Sequence, residues 1–187
     1  MEENPWITKS SEMVYESPWI KVTKHDVLNP AGRPATYSTV HFKGLAIGVL
    51  ALDNELNTWL VGQWRYPVNA YSWEIPEGGG ALNIEPLESA KRELKEETGI
   101  IAKNYKEIMR MNLSNSATDE LAIVYIATDL SFEDSEPEES EVLQLKKIHI
   151  NEAYQWVMEG KIMDAITVAA ILKTKILIEK GELINPY

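Results

Sequence analysis

Hydrophobic and polar positions in this chain first alternate, then run together, and only later fall into a helical period. Trp19 to Leu28 and Thr36 to Phe42 alternate with period two around the turn Asn29-Pro30-Ala31-Gly32-Arg33-Pro34, which predicts a β-hairpin. Leu45 to Leu52 is almost wholly apolar and predicts a strand buried on both faces. Asp53 to Asn57 turns the chain into a further strand, Thr58 to Trp64. A short strand, Tyr71 to Ile75, runs into Pro76-Glu77-Gly78-Gly79-Gly80. A helix is predicted from Pro86, well placed at a first helical position, to Thr98, with Gly99 as its stop.

Strands are predicted again over Lys106 to Leu113 and Leu121 to Leu130, separated by Ser114 to Glu120. The acidic stretch Ser131 to Glu141 precedes a strand over Val142 to Ile150. Two helices follow, Asn151 to Glu159 and Met163 to Lys180, hinged at Gly160. Strands, one helix, strands and then helices are most economically satisfied by an α/β arrangement of mixed α+β type, a mixed sheet covered by helices on both faces. Residues 1–43 are set apart as a small β-unit and residues 44–187 as the main domain.

The composition changes this picture little. With 187 residues and 44% hydrophobic content, the chain can bury a real core. It has no cysteine, which excludes disulfides and thiolate zinc sites and fits a reducing cytoplasm, the expected location. The first ten residues do not read as a signal peptide, and Ala165 to Ile178 is interrupted by lysines and too short to span a bilayer. A net charge of −11 argues against a nucleic-acid partner.

The chemistry concentrates on the Pro86 to Thr98 helix. Leu87, Ala90 and Leu94 form one apolar stripe, and Glu93 and Glu97 flank it one turn apart, roughly 6 Å by helix geometry. Lys95 and Glu88 point into solvent. Two carboxylates at the border of the core repel unless a cation lies between them, and hard oxygen donors suit Mg²⁺ or Mn²⁺. For the helix alone, a glutamate-rich surface helix with Lys91 and Arg92 as ion-pair partners is the better reading. The run Gly78-Gly79-Gly80 just upstream, which permits close approach of backbone to backbone or ligand, favours the metal.

Gly78 followed by Arg92-Glu93-Leu94-Lys95-Glu96-Glu97-Thr98-Gly99-Ile100 resembles the Nudix box, G-x5-E-x7-R-E-U-x-E-E-x-G-U with U a bulky apolar residue. It departs from the box where the isolated first glutamate falls on Ile84, with Glu85 one residue late. The resemblance implies a Nudix α/β/α sandwich with metal held mainly by Glu93 and Glu97, helped by Glu96, and with the backbone carbonyl of Glu77 as a further ligand. It gives Arg92 the task of holding the helix glutamates.

The likeness extends to Gly62-Gln63-Trp64-Arg65-Tyr66-Pro67, to Trp73-Glu74-Ile75-Pro76-Glu77-Gly78-Gly79, and to Glu152 to Val157 with Gly160-Lys161-Ile162. These are similar to the ADP-ribose and nucleoside diphosphate sugar pyrophosphatase branch. What this implies is Mg²⁺-dependent hydrolysis of a nucleotide sugar and a homodimer in which N-terminal units are exchanged. The branch often takes its general base from a mobile loop, which makes Glu139 and Glu141 candidates for base and, for Glu141, extra metal ligand. Arg65 is a candidate phosphate clamp, although a surface ion pair is as good a reading. Glu74 is a candidate for a sugar hydroxyl, Asn115, Ser116 and Glu120 for the sugar side, and Trp19, Tyr37 or Tyr66 for base stacking. His25, His41 and His149 share no ligand spacing and read as structural. Ser114-Asn115-Ser116 tilts the substrate toward GDP-mannose and away from a narrow ADP-ribose pyrophosphatase. The retained box glutamates argue against a non-catalytic ligand sensor.

Overall fold

The computed structural model describes residues 3–135 and 143–183. At its centre lie β4 (Gly44–Ala51) and β9 (Leu121–Phe132), paired in parallel from Ala46↔Ala122 to Ala51↔Ala127. Strand alternation divides their side chains between two cores. Ile47, Val49, Ala51, Ile123, Tyr125 and Ala127 pack in one cluster with Ala90, Leu94 and Ile100. Leu50, Leu52, Ala122, Val124 and Ile126 pack in the other with Ala153, Ile166, Ala170, Ile171 and Leu177. Helix α1 (Pro86–Thr98) therefore covers one face of the sheet, and α2 (Ile150–Met158) and α3 (Ala165–Glu179) close the other. The mixed sheet with helices on both faces is the architecture expected from the element order. The strand expected to be buried on both faces is so, with Ile47 and Val49 to Ala51 wholly inaccessible.

Two edge strands complete this sheet, in the order β7-β4-β9-β8. Strand β8 (Ile100–Asn112) begins six residues before the predicted Lys106, because Ile100 to Tyr105 pairs with the far half of the long β9. Strand β7 (Glu77–Ala81) is the glycine run, to which the sequence pattern assigns no strand. It pairs antiparallel with β4 from Gly44↔Ala81 to Gly48↔Glu77. Glycine lowers strand propensity, yet here the backbone alone satisfies the ladder and leaves room for what packs on it. A second sheet, β10-β5-β6, joins β5 (Asn57–Arg65) to β6 (Ala70–Glu74) and to β10 (Gln144–His149). Ile150, expected to close that last strand, is instead the first residue of α2.

The N-terminal unit has three strands, not the expected two. Strand β1 (Ile7–Glu16) precedes β2 (Ile20–Leu28) and β3 (Pro34–Phe42) in an antiparallel sheet. All ten β1 residues are exposed, so no hydrophobic pattern marks the strand. The unit is fixed to the main domain through β3. The Val40 amide donates to the Ala117 carbonyl at 2.8 Å, and Asp119 accepts from the Phe42 amide at 2.9 Å and pairs with His41. Burial would raise the Asp119 carboxyl, but the His41 and Phe42 bonds outweigh it and hold the group below the usual aspartate range.

Candidate active site

Ala90 and Leu94 are wholly buried, and Leu87 packs beside them, which fixes the roll of α1 about its axis. That roll brings Glu93 and Glu97, only 8% and 7% exposed, to the edge of the sheet rather than into solvent. A Cβ at Gly78 would stand 2.3 Å from the Glu93 carboxyl carbon, so only glycine lets the carboxylate lie against β7. The Glu77 amide donates to Glu97 Oε2 at 3.1 Å. Arg92 spans the same gap: its Nη2 donates to the Gly79 carbonyl at 2.9 Å and to Glu93, and its Nη1 to Glu96 at 2.6 Å. Helix and glycine strand are thus tied together by the two carboxylates and one guanidinium.

At the other end, Gly99 caps α1 with φ 70°. A Cβ there would meet the Glu133 carbonyl at 2.2 Å, and the Glu133 amide donates to the Gly99 carbonyl at 2.8 Å. The helix end is therefore pinned to the chain leaving β9. Glu139 and Glu141, the candidate base and extra ligand, lie outside the described residues.

A second group of charges stands on the neighbouring wall. Arg65 ends β5, and its Nε donates to both oxygens of Glu74 at 2.9 and 3.0 Å. Its Nη2 donates to Glu74 at 2.5 Å and to Glu77 Oε1 at 3.2 Å. Glu74 is 2% exposed, so both of its oxygens serve this buried pair. The Glu77 carboxyl is pushed well above the usual carboxylate range, first by burial, then by Asp164 and Glu74, with Arg65 opposing. Asp164 caps α3 by accepting from the Thr167 amide at 2.7 Å. Oxygens of Glu74, Glu77 and Asp164 lie within 4.8 Å of one another.

Wholly buried Thr167 bolts the helix to this wall: its Oγ1 accepts from the Ile75 amide at 3.0 Å, between Glu74 and Glu77. Thr167→Val should leave that amide unpaired and cost about 1–3 kcal/mol. A urea melt would register the loss, and unchanged stability would show that the bond contributes nothing net.

The second group and the glycine strand β7 border a cleft of about 830 Å³, whose lining includes Gly78 to Gly80 but not Arg92, Glu93, Glu96 or Glu97. Of the residues singled out from the sequence, Trp19, Arg65, Glu74, Glu77 and Glu120 line it. The Glu120 carboxyl is raised by burial and by Asp119. Asn115 and Ser116 lie in an exposed turn outside the lining, where the Ser116 carbonyl accepts from the Tyr37 hydroxyl. Tyr37 packs edge-on against Trp6, its ring centroid 5.4 Å away, and does not line the cleft. Tyr66 is 90% exposed beside the lining residues Pro67 and Val68. His25 bonds Ser11 and Thr39, and His149 caps α2.

Lys43, Tyr71, Met163 and Asp164 also line the cleft and were not singled out. A lone acid before a helix reads as a cap, and Asp164 is one. Its second relation, to Glu74 and Glu77, depends on residues about ninety positions away.

Two family models match consecutive parts of the chain. The nucleoside diphosphate sugar hydrolase N-terminal domain matches residues 4–40, and the NUDIX domain matches residues 42–166. The ADP-ribose pyrophosphatase of Bacillus subtilis (strain 168) is 32% identical over 166 residues, 88% of this chain and 89% of that one. The methanol dehydrogenase activator of Bacillus methanolicus is 30% identical over the same shares. The ADP-ribose pyrophosphatase of Mycobacterium tuberculosis is 30% identical over 92% of this chain and 84% of its own. A solved ADP compounds hydrolase shares the fold, with TM-score 0.81 at 19% identity over 98% of this chain and 100% of the other. With a nearly buried glutamate pair on a glycine-backed helix and a NUDIX match over 125 residues, the chain belongs to the Nudix family, in its ADP-ribose and nucleoside diphosphate sugar pyrophosphatase branch, and is a pyrophosphohydrolase.

Proposed function

We propose that this enzyme hydrolyses the diphosphate bond of a nucleoside diphosphate sugar, of ADP-ribose or GDP-mannose type, with Mg²⁺ held by the box glutamates. The observation that carries the reading is the single cleft that reaches from the N-terminal unit, at Trp19 and Phe42, past Arg65 to the glycine strand beside the box helix. A pocket of that size accommodates a nucleotide with an attached sugar.

The residues present fit a hard divalent cation. Glu93 and Glu97 offer buried carboxylate oxygen on one helix face, the Glu77 carbonyl belongs to the adjoining strand, and Glu96 stands next to them. When bound, such a cation neutralises charge on the phosphate oxygens and lowers the pKa of water. The chain's own groups do the rest. Arg92 orients Glu93 and Glu96 through its hydrogen bonds. Arg65, kept charged by Glu74 and Glu77, places a fixed cation in the wall of the cleft, where it can meet a phosphate oxygen. Glu120 offers an oxygen to a sugar hydroxyl, and Trp19, 74% exposed at the cleft, a face for the base. Glu139 or Glu141 would take the proton of the attacking water.

With Mg²⁺ present, nucleoside diphosphate sugars should be cleaved to a nucleoside monophosphate and a sugar phosphate far faster than nucleoside triphosphates. A panel of both classes with products identified tests this, and preferred release of pyrophosphate from triphosphates would overturn it. Two relatives named ADP-ribose pyrophosphatase favour ADP-ribose as the second, narrower reading. The Ser114-Asn115-Ser116 turn gives no support to GDP-mannose from its exposed position outside the cleft.

The working form we propose is a homodimer. Trp6, Ile7, Met13, Val14 and Tyr15 are all exposed on or beside β1, in a three-stranded sheet with little core of its own. Light scattering at micromolar concentration should report twice the 21.2 kDa chain mass, and a monomer would remove the idea.

A further inference from the structure

Glu74, Glu77 and Asp164 bring three carboxylates together, and Arg65 pairs with Glu74 and Glu77. With all three ionised the group carries two uncompensated negative charges. Its members are not equivalent. Both oxygens of Glu74 accept from Arg65, and Oδ2 of Asp164 accepts from the Thr167 amide. One oxygen of Glu77 accepts from Arg65, while its Oε2 is shielded from solvent and has no hydrogen-bond partner among the described residues. A buried carboxylate oxygen left without a donor costs free energy unless something cationic or protic meets it. Thr167 and the α3 cap hold Asp164 against this wall.

We propose that the side chains of Glu77 and Asp164 form a second divalent-cation position, separate from the one attributed to Glu93 and Glu97. Two carboxylates with the remaining positions filled by water or phosphate oxygen suit Mg²⁺ or Mn²⁺. A divalent ion there cancels the two excess charges. It also adds positive charge next to Arg65 on the cleft wall. This position stands on the named side chains and holds whether or not the box glutamates bind metal as proposed above.

The test is a Mn²⁺ titration of the full chain without substrate, with free Mn²⁺ counted by electron paramagnetic resonance. Asp164→Asn is the first variant, since asparagine still accepts from the Thr167 amide and keeps the helix cap. It should bind one Mn²⁺ fewer per chain, or bind it about tenfold or more weaker. Glu77→Gln, which leaves the backbone carbonyl in place, should lose the same site. Glu93→Gln should instead lose the other class of site and keep this one. Wild-type number and affinity in both Asp164→Asn and Glu77→Gln would overturn the proposal and identify Glu77 as a protonated partner of Asp164. Retention of every site in Glu93→Gln would count only against the box reading.

Discussion

Replacing Glu93 or Glu97 with glutamine is expected to lower kcat by about a thousandfold or more, equivalent to ~4 kcal/mol of barrier, while the fold melts where it did before. Glutamine keeps the length of the side chain and an oxygen to accept from Arg92 or from the Glu77 amide, so packing against Gly78 and β7 persists. What is removed is a formal charge at the edge of the core. The measurement is product formation from ADP-ribose with saturating Mg²⁺, beside circular-dichroism melts of both variants. Near-wild-type turnover in both would end the assignment of the box glutamates. A loss of turnover together with a collapsed melting temperature would show that the carboxylates are there for structure.

The second large effect is expected at Arg65. Arg65→Met preserves most of the aliphatic stem but leaves Glu74, 2% exposed, without its cation, and takes one donor from Glu77. Breaking a buried pair from one side typically costs 3–5 kcal/mol. The Arg65 side chain is 37% exposed, so solvent screens part of the interaction and the expected loss is about 2–3 kcal/mol. For a chain of this length that is a fall in Tm of about 8 °C. If Arg65 also meets the substrate phosphate, KM for the nucleotide sugar rises in the same variant. Arg65→Met with Glu74→Leu should recover much of the stability, since both charges are then gone, and none of the binding. Stability recovered together with KM would show that Arg65 serves only its ion pair.

The parts of the fold that were legible in the sequence are those whose pattern has one physical cause. The apolar run through β4 is buried on both faces, and the 3.6-residue period of Leu87, Ala90 and Leu94 sets the roll of α1. Once that roll is known, Glu93 and Glu97 must reach the border of the core. The glycines after Pro76 were read for the close approach that a missing side chain permits, and Gly78 uses that property against the Glu93 carboxylate. Their membership in a strand was not readable, because a residue without a side chain leaves no alternation to see. β1 escaped for the opposite reason: it has side chains on both faces, all of them on exposed residues. The Glu74–Glu77–Asp164 group joins the β6–β7 connection to the start of α3, a proximity made by tertiary packing alone. Asn115 and Ser116, given to the sugar side by the resemblance, lie in an exposed turn outside the cleft lining, while Glu120 at the end of the same stretch lines it.

The construction of β7 also decides how the reaction centre responds to heat and to mutation. Gly78, Gly79 and Gly80 are hydrogen-bonded into the central sheet through β4, and both box carboxylates lean on that strand. Opening the centre therefore means breaking the β7–β4 ladder. In the language of amide exchange, the β7 amides bonded to β4 are expected to open with the edge of the sheet and not as a surface loop that opens by itself. Core substitutions far from the cleft will then reduce the fraction of active molecules, with the surviving molecules keeping their native kinetic constants.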